Sequence, residues 1–168
     1  MSAPVLADAA PRPVGSYPHA RRVGGLLLLS GIGPRDPATN AVPGNVHDAD
    51  GRLLSYDIDL QARAVFANVR TVLEASGARW EHLVDVTVYL TDIARDFKAW
   101  NAVWAEHFPD PATAPCRTTV GITALPTPIA IELKCIAALP SPPAESVQSP
   151  AAPGAERPQS PPPLAGED

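Results

Sequence analysis

The pattern of apolar and polar residues divides the chain into short strands, two helices and one long loop. Two apolar arms, residues 20–23 and 26–30, flank Gly24 and Gly25. A glycine pair between strand formers is typical of a two-residue β-turn, so this segment predicts a β-hairpin. The residues that follow, 32–55, are rich in turn formers and predict a long loop.

Residues 57–77 have the clearest helical pattern. Asp57 can act as the N-cap and Gly77 as the stop signal. Between them apolar side chains recur at helical spacing, at Ile58, Ala62, Val65, Phe66, Val69, Val72 and Leu73. We expect this stripe to pack on a β-sheet.

Alternating apolar and polar residues predict a strand in the next segment, LVDVTVYLT. Its core face would carry Val84, Val86, Val88 and Leu90. The other face, which can meet water or a partner, would carry Asp85, Thr87, Tyr89 and Thr91.

A second helix is predicted from Asp96 to about Phe108. One stripe of this helix would contain Phe97, Asn101, Trp104 and Phe108. Asn101 is the single amide on that face. It either bonds a loop backbone as a buried structural residue or points at a ligand, and the pattern leaves both open.

Residues 115–135 contain two charges within apolar segments. β-branched residues crowd two arms around a proline-marked turn at residues 125–128, which predicts an antiparallel hairpin. Pairing about this turn would bring Arg117 and Glu132 within a few residues of cross-strand opposition. Charges in half-buried strands are costly unless they are paired or used. We therefore expect Arg117 to bind a carboxylate and Glu132 to transfer protons.

The order of elements indicates an α+β domain with two helices on one face of a mixed sheet. Residues 1–15 are rich in Pro and Ala and are expected to be loose. Pro, Ser, Ala and Gly dominate residues 140–168, which predicts a disordered tail and leaves residues 16–139 as the folded domain. The open face of the sheet would mix apolar and polar side chains, which suits an oligomer interface.

Composition excludes several classes of function. The net charge of −5 argues against nucleic acid as the main partner. The apolar run at residues 24–29 is too short for a membrane span or a signal peptide, so we expect a cytoplasmic protein. Two cysteines, Cys116 and Cys135, are too few for a disulfide scaffold or a zinc cluster and are expected to be small apolar strand residues.

Five spaced motifs connect the chain to a known family. They are SYPHARRVGGLLLLSG, DIDLQARAVFANVRTVLEASGA, LVDVTVYLTD, FKAWNAVWAEHF and APCRTTVGITALPTPIAIELKCIA. Together they resemble the RidA (YjgF) family of enamine and imine deaminases, and among its members most resemble the 2-aminomuconate deaminases. The resemblance implies a chorismate-mutase-like α+β fold, a homotrimer with clefts between subunits, and no need for a metal or organic cofactor.

The resemblance also implies a set of site residues. Arg117 would bind the substrate carboxylate, and Glu132 would activate water with a pKa raised by burial and partly lowered by Arg117. The resemblance also places Tyr17, Ser30 and Asn101 in the cleft. We add Thr119, which would orient water or the leaving amine, and Arg35. Arg35 would hold the second carboxylate of a dicarboxylate substrate.

The chain departs from the family pattern at three places. Ser30-Gly31-Ile32 stands where most members have Ser-Gly-Gln, and Thr119 stands where many have Cys. Thr123 and Thr127 stand near the proline-marked turn, where 2-aminomuconate deaminases have His. The first two changes distinguish the chain from generic members, whereas the third weakens the narrower assignment.

The predicted function is hydrolytic deamination of a small enamine or imine carboxylic acid, with 2-aminomuconate as the favoured substrate. A generic 2-imino acid deaminase is the first alternative. A non-enzymatic small-acid sensor or chaperone-like trimer is the second, although a carboxylate binder needs Arg117 and not Glu132. A structural salt bridge between these two residues is the third.

Overall fold

A six-stranded mixed sheet and two helices dominate residues 2–139, which are the part of the chain that the computed structural model describes. The sheet strands are β1 (Ser2–Val5), β2 (Ala20–Val23), β3 (Leu26–Leu29), β6 (Leu83–Leu90), β7 (Cys116–Gly121) and β8 (Ile131–Ala138). The helices are α1 (Ile58–Ala75) and α2 (Ile93–His107), and a small separate hairpin consists of β4 (Val46–His47) and β5 (Leu53–Ser55). The tail expected at residues 140–168 lies outside the described residues.

The strand order is β1-β2-β3-β8-β6-β7. β6 and β7 run parallel, and the other neighbouring strands run antiparallel. Both helices cover one face of the sheet, so the predicted α+β class and mixed sheet are confirmed. The core between them contains fully buried strand residues such as Val88 and Leu133 and helix residues such as Val69 and Trp100. Each buried side chain of this kind stabilises the fold by about 1.5–3 kcal/mol.

Helix α1 begins and ends where the sequence predicted. The Asp57 side chain accepts hydrogen bonds from the backbone N–H groups of Asp59 and Leu60, at 2.9 and 3.1 Å. Gly77 follows the helix with φ of 69°, a conformation that glycine adopts without the steric cost that a Cβ brings. The predicted hairpin around Gly24 is also confirmed, since β2 pairs antiparallel with β3.

Two buried amides on α1 were not predicted. Gln61 is fully buried, accepts a hydrogen bond from the N–H of Ala130 at 2.8 Å and donates to Asn45 at 2.8 Å. Asn68 donates to the carbonyls of Gly33 and Arg35, at 2.9 and 2.8 Å. Both amides lie on the apolar stripe of α1. Gln61 holds the segment just before β8, and Asn68 holds the loop that follows β3.

Several local predictions were wrong. Helix α2 begins at Ile93 rather than Asp96, because the Asp92 side chain accepts from the N–H of Arg95 and caps it. Asp96 is instead a buried residue that accepts a hydrogen bond from the Tyr56 hydroxyl at 2.7 Å. The buried face of α2 is centred on Trp100, so Phe97 is 42% exposed.

The start of β6 and the N-terminal segment also differ from the prediction. Val84 is exposed and Leu83 is buried, because the pairing of β6 with β8 shifts by one position between Leu83 and Asp85. Near the N-terminus, where we expected a loose segment, Ser2–Val5 forms β1 against β2. Ala7 and Ala10 are buried in the same region.

The most consequential correction concerns residues 115–135, which do not form a hairpin. β6 lies between β7 and β8 and pairs with both of them. The proline-marked turn therefore lies in the connection from β7, on one side of β6, to β8 on the other side. The physical reason is that β6 can bury Val88 and Leu90 only in the middle of the sheet, under the helices.

Candidate active site

Glu132 lies near the start of β8 on the face of the sheet that the helices leave open. Its neighbours in sequence, Ile131 and Leu133, are fully buried on the helix side, and successive strand residues point to opposite faces. The carboxylate enters a cavity of about 130 Å³. That cavity is lined by Val14, Tyr17, Gly31, Gly33, Arg35, Pro126, Thr127, Ile129 and Glu132.

The absence of a side chain at Gly31 leaves the space that the Glu132 carboxylate occupies. A Cβ atom at position 31 would lie only 2.3 Å from Oε1 of Glu132, so a larger residue would displace the carboxylate. The chain holds this position through Ser30, whose N–H donates to the carbonyl of His19 at 2.8 Å and whose hydroxyl donates to the carbonyl of Pro18 at 2.6 Å. The Ser-Gly pair thus packs the backbone directly against Glu132.

Burial raises the pKa of Glu132, and the nearby charge of Arg35 lowers it in part. The sequence had predicted Arg117 as the opposing cation, but Arg35 is the one close enough to act. Arg35 is fixed by donating to the carbonyl of Arg12 at 2.7 Å and to the side chain of Asn40. The cavity thus holds a carboxyl group with a raised pKa and, beside it, the cation Arg35. This environment suits Glu132 to proton transfer.

Tyr17 lines the same cavity and is 43% exposed. The structure therefore brings together four of the residues that the sequence selected: Glu132, Arg35, Tyr17 and Ser30. The loop that follows β3 carries Arg35 into this group, and Asn68 holds the loop by donating to the carbonyls of Gly33 and Arg35.

A second cluster surrounds Arg117 on β7. The guanidinium lies over the Trp104 ring, 4.7 Å from its centroid, and donates to Oδ1 of Asn101 at 2.9 Å. Burial lowers the pKa of Arg117, although an arginine remains charged at any physiological pH. Asn101 is exposed and accepts a hydrogen bond from this arginine. The interpretation of Asn101 as a buried residue that bonds a loop backbone is therefore wrong.

Two polar atoms in this cluster are buried and lack hydrogen-bond partners among residues 2–139. They are Nη1 of Arg117 and Oγ1 of Thr119. Buried polar groups in folded proteins are almost always hydrogen-bonded, and an unpaired one is costly. A ligand carboxylate, which only accepts hydrogen bonds, could satisfy both atoms.

The two clusters lie on opposite faces of the sheet. Arg117 is paired with Val86, which points into the core, whereas Glu132 is paired with Tyr89 on the open face. Directly paired residues point to the same face, so the two charges cannot meet across the strands of one chain. The expected cross-strand approach is therefore wrong, and the structural salt bridge between them is excluded within one chain.

Cys135 is buried and is not suited to act as a nucleophile, whereas Cys116 is exposed at the start of β7. Burial raises the pKa of the Cys135 thiol to about 12, which keeps it protonated. Within residues 2–139, no group of three or more His, Cys, Asp or Glu side chains is placed to hold a metal ion. In the same part of the chain, neither helix is long and apolar enough to cross a membrane. A cytoplasmic location stays a prediction.

The sheet, the two covering helices and the two polar clusters define a known class of protein. A family profile described as Endoribonuclease L-PSP matches residues 7–139. The chain therefore belongs to this family, which also carries the names RidA, YjgF and RutC.

Individual relatives cover nearly all of the described domain. A RutC family protein of Synechocystis is 36% identical over 132 residues, which are 79% of this chain and 92% of the relative. The chloroplastic Reactive Intermediate Deaminase A of Arabidopsis thaliana is 35% identical over 135 residues, 80% of this chain and 65% of that protein. The crystal structure of the E. coli YjgF gene product superposes with a TM-score of 0.68 at 29% identity and covers 81% of this chain and 98% of its own.

The electrostatics of the Glu132 cavity give a first prediction. Removing Arg35 should raise the pKa of Glu132 further, because the charge that lowers it is gone. The pKa of Glu132 is higher in the folded chain than the ordinary value expected for the unfolded chain. Glu132 therefore stabilises the fold less as the pH rises through its folded-state pKa. Carboxyl-carbon NMR titration of wild type and Arg35→Ala, with the signal assigned through Glu132→Gln, measures the shift.

The exposed Arg52→Ala variant is the control and should leave the Glu132 titration unchanged. A wild-type pKa at or below the ordinary glutamate value, or a decrease after removal of Arg35, would contradict this description of the cavity.

Proposed function

We propose that the protein is a hydrolytic deaminase of small enamine or imine carboxylic acids, which releases ammonia and a 2-oxo acid. The observation that carries the proposal is the half-buried Glu132 carboxyl, which lies against Gly31 in a small open cavity and has a raised pKa. The name of the Arabidopsis relative, Reactive Intermediate Deaminase A, supports the same reaction class.

We further propose that the chain forms a homotrimer whose active sites lie between subunits. Arg117 and Glu132 lie on opposite faces of one sheet, so a site that uses both requires a second chain. β7 is an edge strand, so the Arg117 cluster is near the border of the domain. The open sheet face includes Val23 and Leu26, which are 47% and 44% exposed and suit burial against another subunit.

The proposed reaction uses each cluster for one task. Arg117, supported by Asn101 and Thr119, holds the substrate carboxylate with two parallel hydrogen bonds. Glu132 gives its proton to the enamine carbon, which produces the imine, and then takes a proton from water as the water oxygen attacks the C=N carbon. Glu132 passes this proton to the nitrogen of the resulting carbinolamine and takes up the hydroxyl proton as the C–N bond breaks. Ammonia and the 2-oxo acid are released, and Glu132 is left protonated for the next cycle.

The narrower candidate substrate is 2-aminomuconate, a dicarboxylate. The observation that favours it is Arg35, a second cation in the Glu132 cavity, where it could hold a second carboxylate. Thr127, which lines the same cavity, stands where the 2-aminomuconate deaminases carry His. A generic 2-imino acid deaminase is therefore the alternative if Arg35 has no effect on substrate choice.

Two other classes of function are less well supported. A small-acid sensor or chaperone-like trimer would need the Arg117 cluster but gives no reason for a half-buried Glu132 beside Gly31. The family profile bears an endoribonuclease name, but the net charge of −5 does not favour binding to RNA phosphates.

The roles of Arg117 and Glu132 are separable by kinetics. Arg117→Ala should raise KM by about 10- to 100-fold, because one or two charge-assisted hydrogen bonds to the substrate are lost. Glu132→Gln should lower kcat by about 10²- to 10⁴-fold with binding retained, because proton transfer is lost. Ammonia and 2-oxo acid release from an enzymatically generated 2-iminopropionate or 2-aminomuconate provides both constants.

Arg70→Ala and Glu74→Gln are matched controls. Arg70 also lies over a tryptophan, 4.6 Å from the Trp80 centroid, and Glu74 is exposed on the same helix, so both variants should keep wild-type rates. Wild-type turnover by Arg117→Ala and Glu132→Gln would show that the site assignment is wrong. A wild-type protein without activity above background would refute the proposed reaction.

The dicarboxylate proposal has its own test. Arg35→Ala should raise KM for 2-aminomuconate by about tenfold, the scale of one lost ionic contact, and should change KM for 2-iminopropionate by less than about threefold. Arg52→Ala serves as the control on an exposed arginine outside the cavity. Equal effects on the two substrates would leave only the generic deaminase.

A further inference from the structure

His19 connects the N-terminal arm, residues 2–15, to the region around Glu132. Its Nδ1 accepts a hydrogen bond from the N–H of Ala7 at 3.0 Å, and its Nε2 lies 3.1 Å from the carbonyl oxygen of Pro11. Its backbone N–H donates to the carbonyl of Val5 at 3.0 Å. The residue is only 7% exposed. One side chain thus holds two points of the arm.

This geometry assigns the protonation state of the imidazole. Nδ1 accepts a hydrogen bond, so it carries no proton, and in the neutral ring the proton is then on Nε2. Nε2–H therefore donates to Pro11. A doubly protonated ring would present N–H groups on both sides, and the bond from Ala7 would be lost.

The arm that His19 holds also covers the candidate site. Ala10, Pro11 and Pro13 line a small cavity of about 30 Å³. Tyr17, Ser30, Gly31 and Arg35 line it as well, and three of these four, Tyr17, Gly31 and Arg35, also line the Glu132 cavity. Arg35 in turn donates to the carbonyl of Arg12 on the arm. A displaced arm would remove support from both Tyr17 and Arg35.

We propose that His19 is a positioning residue that latches the N-terminal arm and thereby sets Tyr17 and Arg35 for substrate binding. The link to substrate rests on the proposed deaminase function, whereas the latch itself rests on the hydrogen bonds from Ala7 and to Pro11.

Amide hydrogen exchange at Ala7 measures the latch directly, because the imidazole is the acceptor of this N–H. After correction for intrinsic exchange, the protection factor of Ala7 in the full-length protein should fall by about tenfold in His19→Ala, the effect of one lost hydrogen bond. His19→Gln should keep the protection, since its amide supplies one acceptor and one donor.

The amide of Ala78, which bonds the carbonyl of Leu73 at the end of α1, is the internal control and should not respond. In kinetics, His19→Ala should raise KM by about tenfold with kcat within about twofold of wild type. His19→Gln should restore the wild-type KM. A merely structural histidine would not give this split or this rescue.

Ala7 protection that survives in His19→Ala would overturn the latch. Unchanged KM in His19→Ala despite lost protection would overturn the link to substrate binding. The exchange result holds whether or not the protein turns over substrate. Absence of any wild-type turnover would therefore count against the deaminase proposal alone.

Discussion

The insertion of β6 between β7 and β8 is the constraint on which the rest of the site depends. One face of β6 is buried along its length, from Leu83 to Leu90, and the strand lies centrally in the sheet under the two helices. Its parallel pairing with β7 turns Arg117 toward the helices, and its antiparallel pairing with β8 turns Glu132 away from them. The charge that would bind an acid and the carboxyl that would transfer its protons are therefore separated by the sheet itself.

Each half of the site is kept in place by polar contacts from a helix or a loop rather than by the apolar core. Asn101 and Trp104 on α2 hold the guanidinium of Arg117. Asn68 on α1 holds the loop that carries Arg35, and Gln61 holds the backbone at Ala130, just before β8. The core supplies stability, and these polar contacts supply the geometry that specific chemistry requires.

The sequence predicted the elements whose signals are local. The hairpin at Gly24 and the ends of α1 at Asp57 and Gly77 depend on neighbouring residues, and each was placed correctly. The partners of β7 and β8 depend on the whole sheet, and adjacency in sequence led to a hairpin that does not exist. Selection of the charged residues as unusual was possible without knowing this topology, but their arrangement was not.

Other features of the site were missed because their signals are weak in sequence. Gln61 and Asn68 are seven residues apart on the apolar stripe of α1, and this spacing was the available indication that they are buried. His19 gave no such signal, since its acceptors and donors come from an arm that was expected to be loose. The role of Arg35 beside Glu132 depends on a long loop, whose path no periodic pattern describes.

Subunit complementation tests the central claim, that Arg117 and Glu132 of different chains build one site. Arg117→Ala and Glu132→Gln chains are mixed in equal amounts, unfolded and refolded together, and assayed beside each variant alone. Random trimers place an intact Glu132 against an intact Arg117 at about a quarter of the interfaces, so we predict about a quarter of wild-type activity. Mixed trimers that form but stay as inactive as the separate variants would contradict the account.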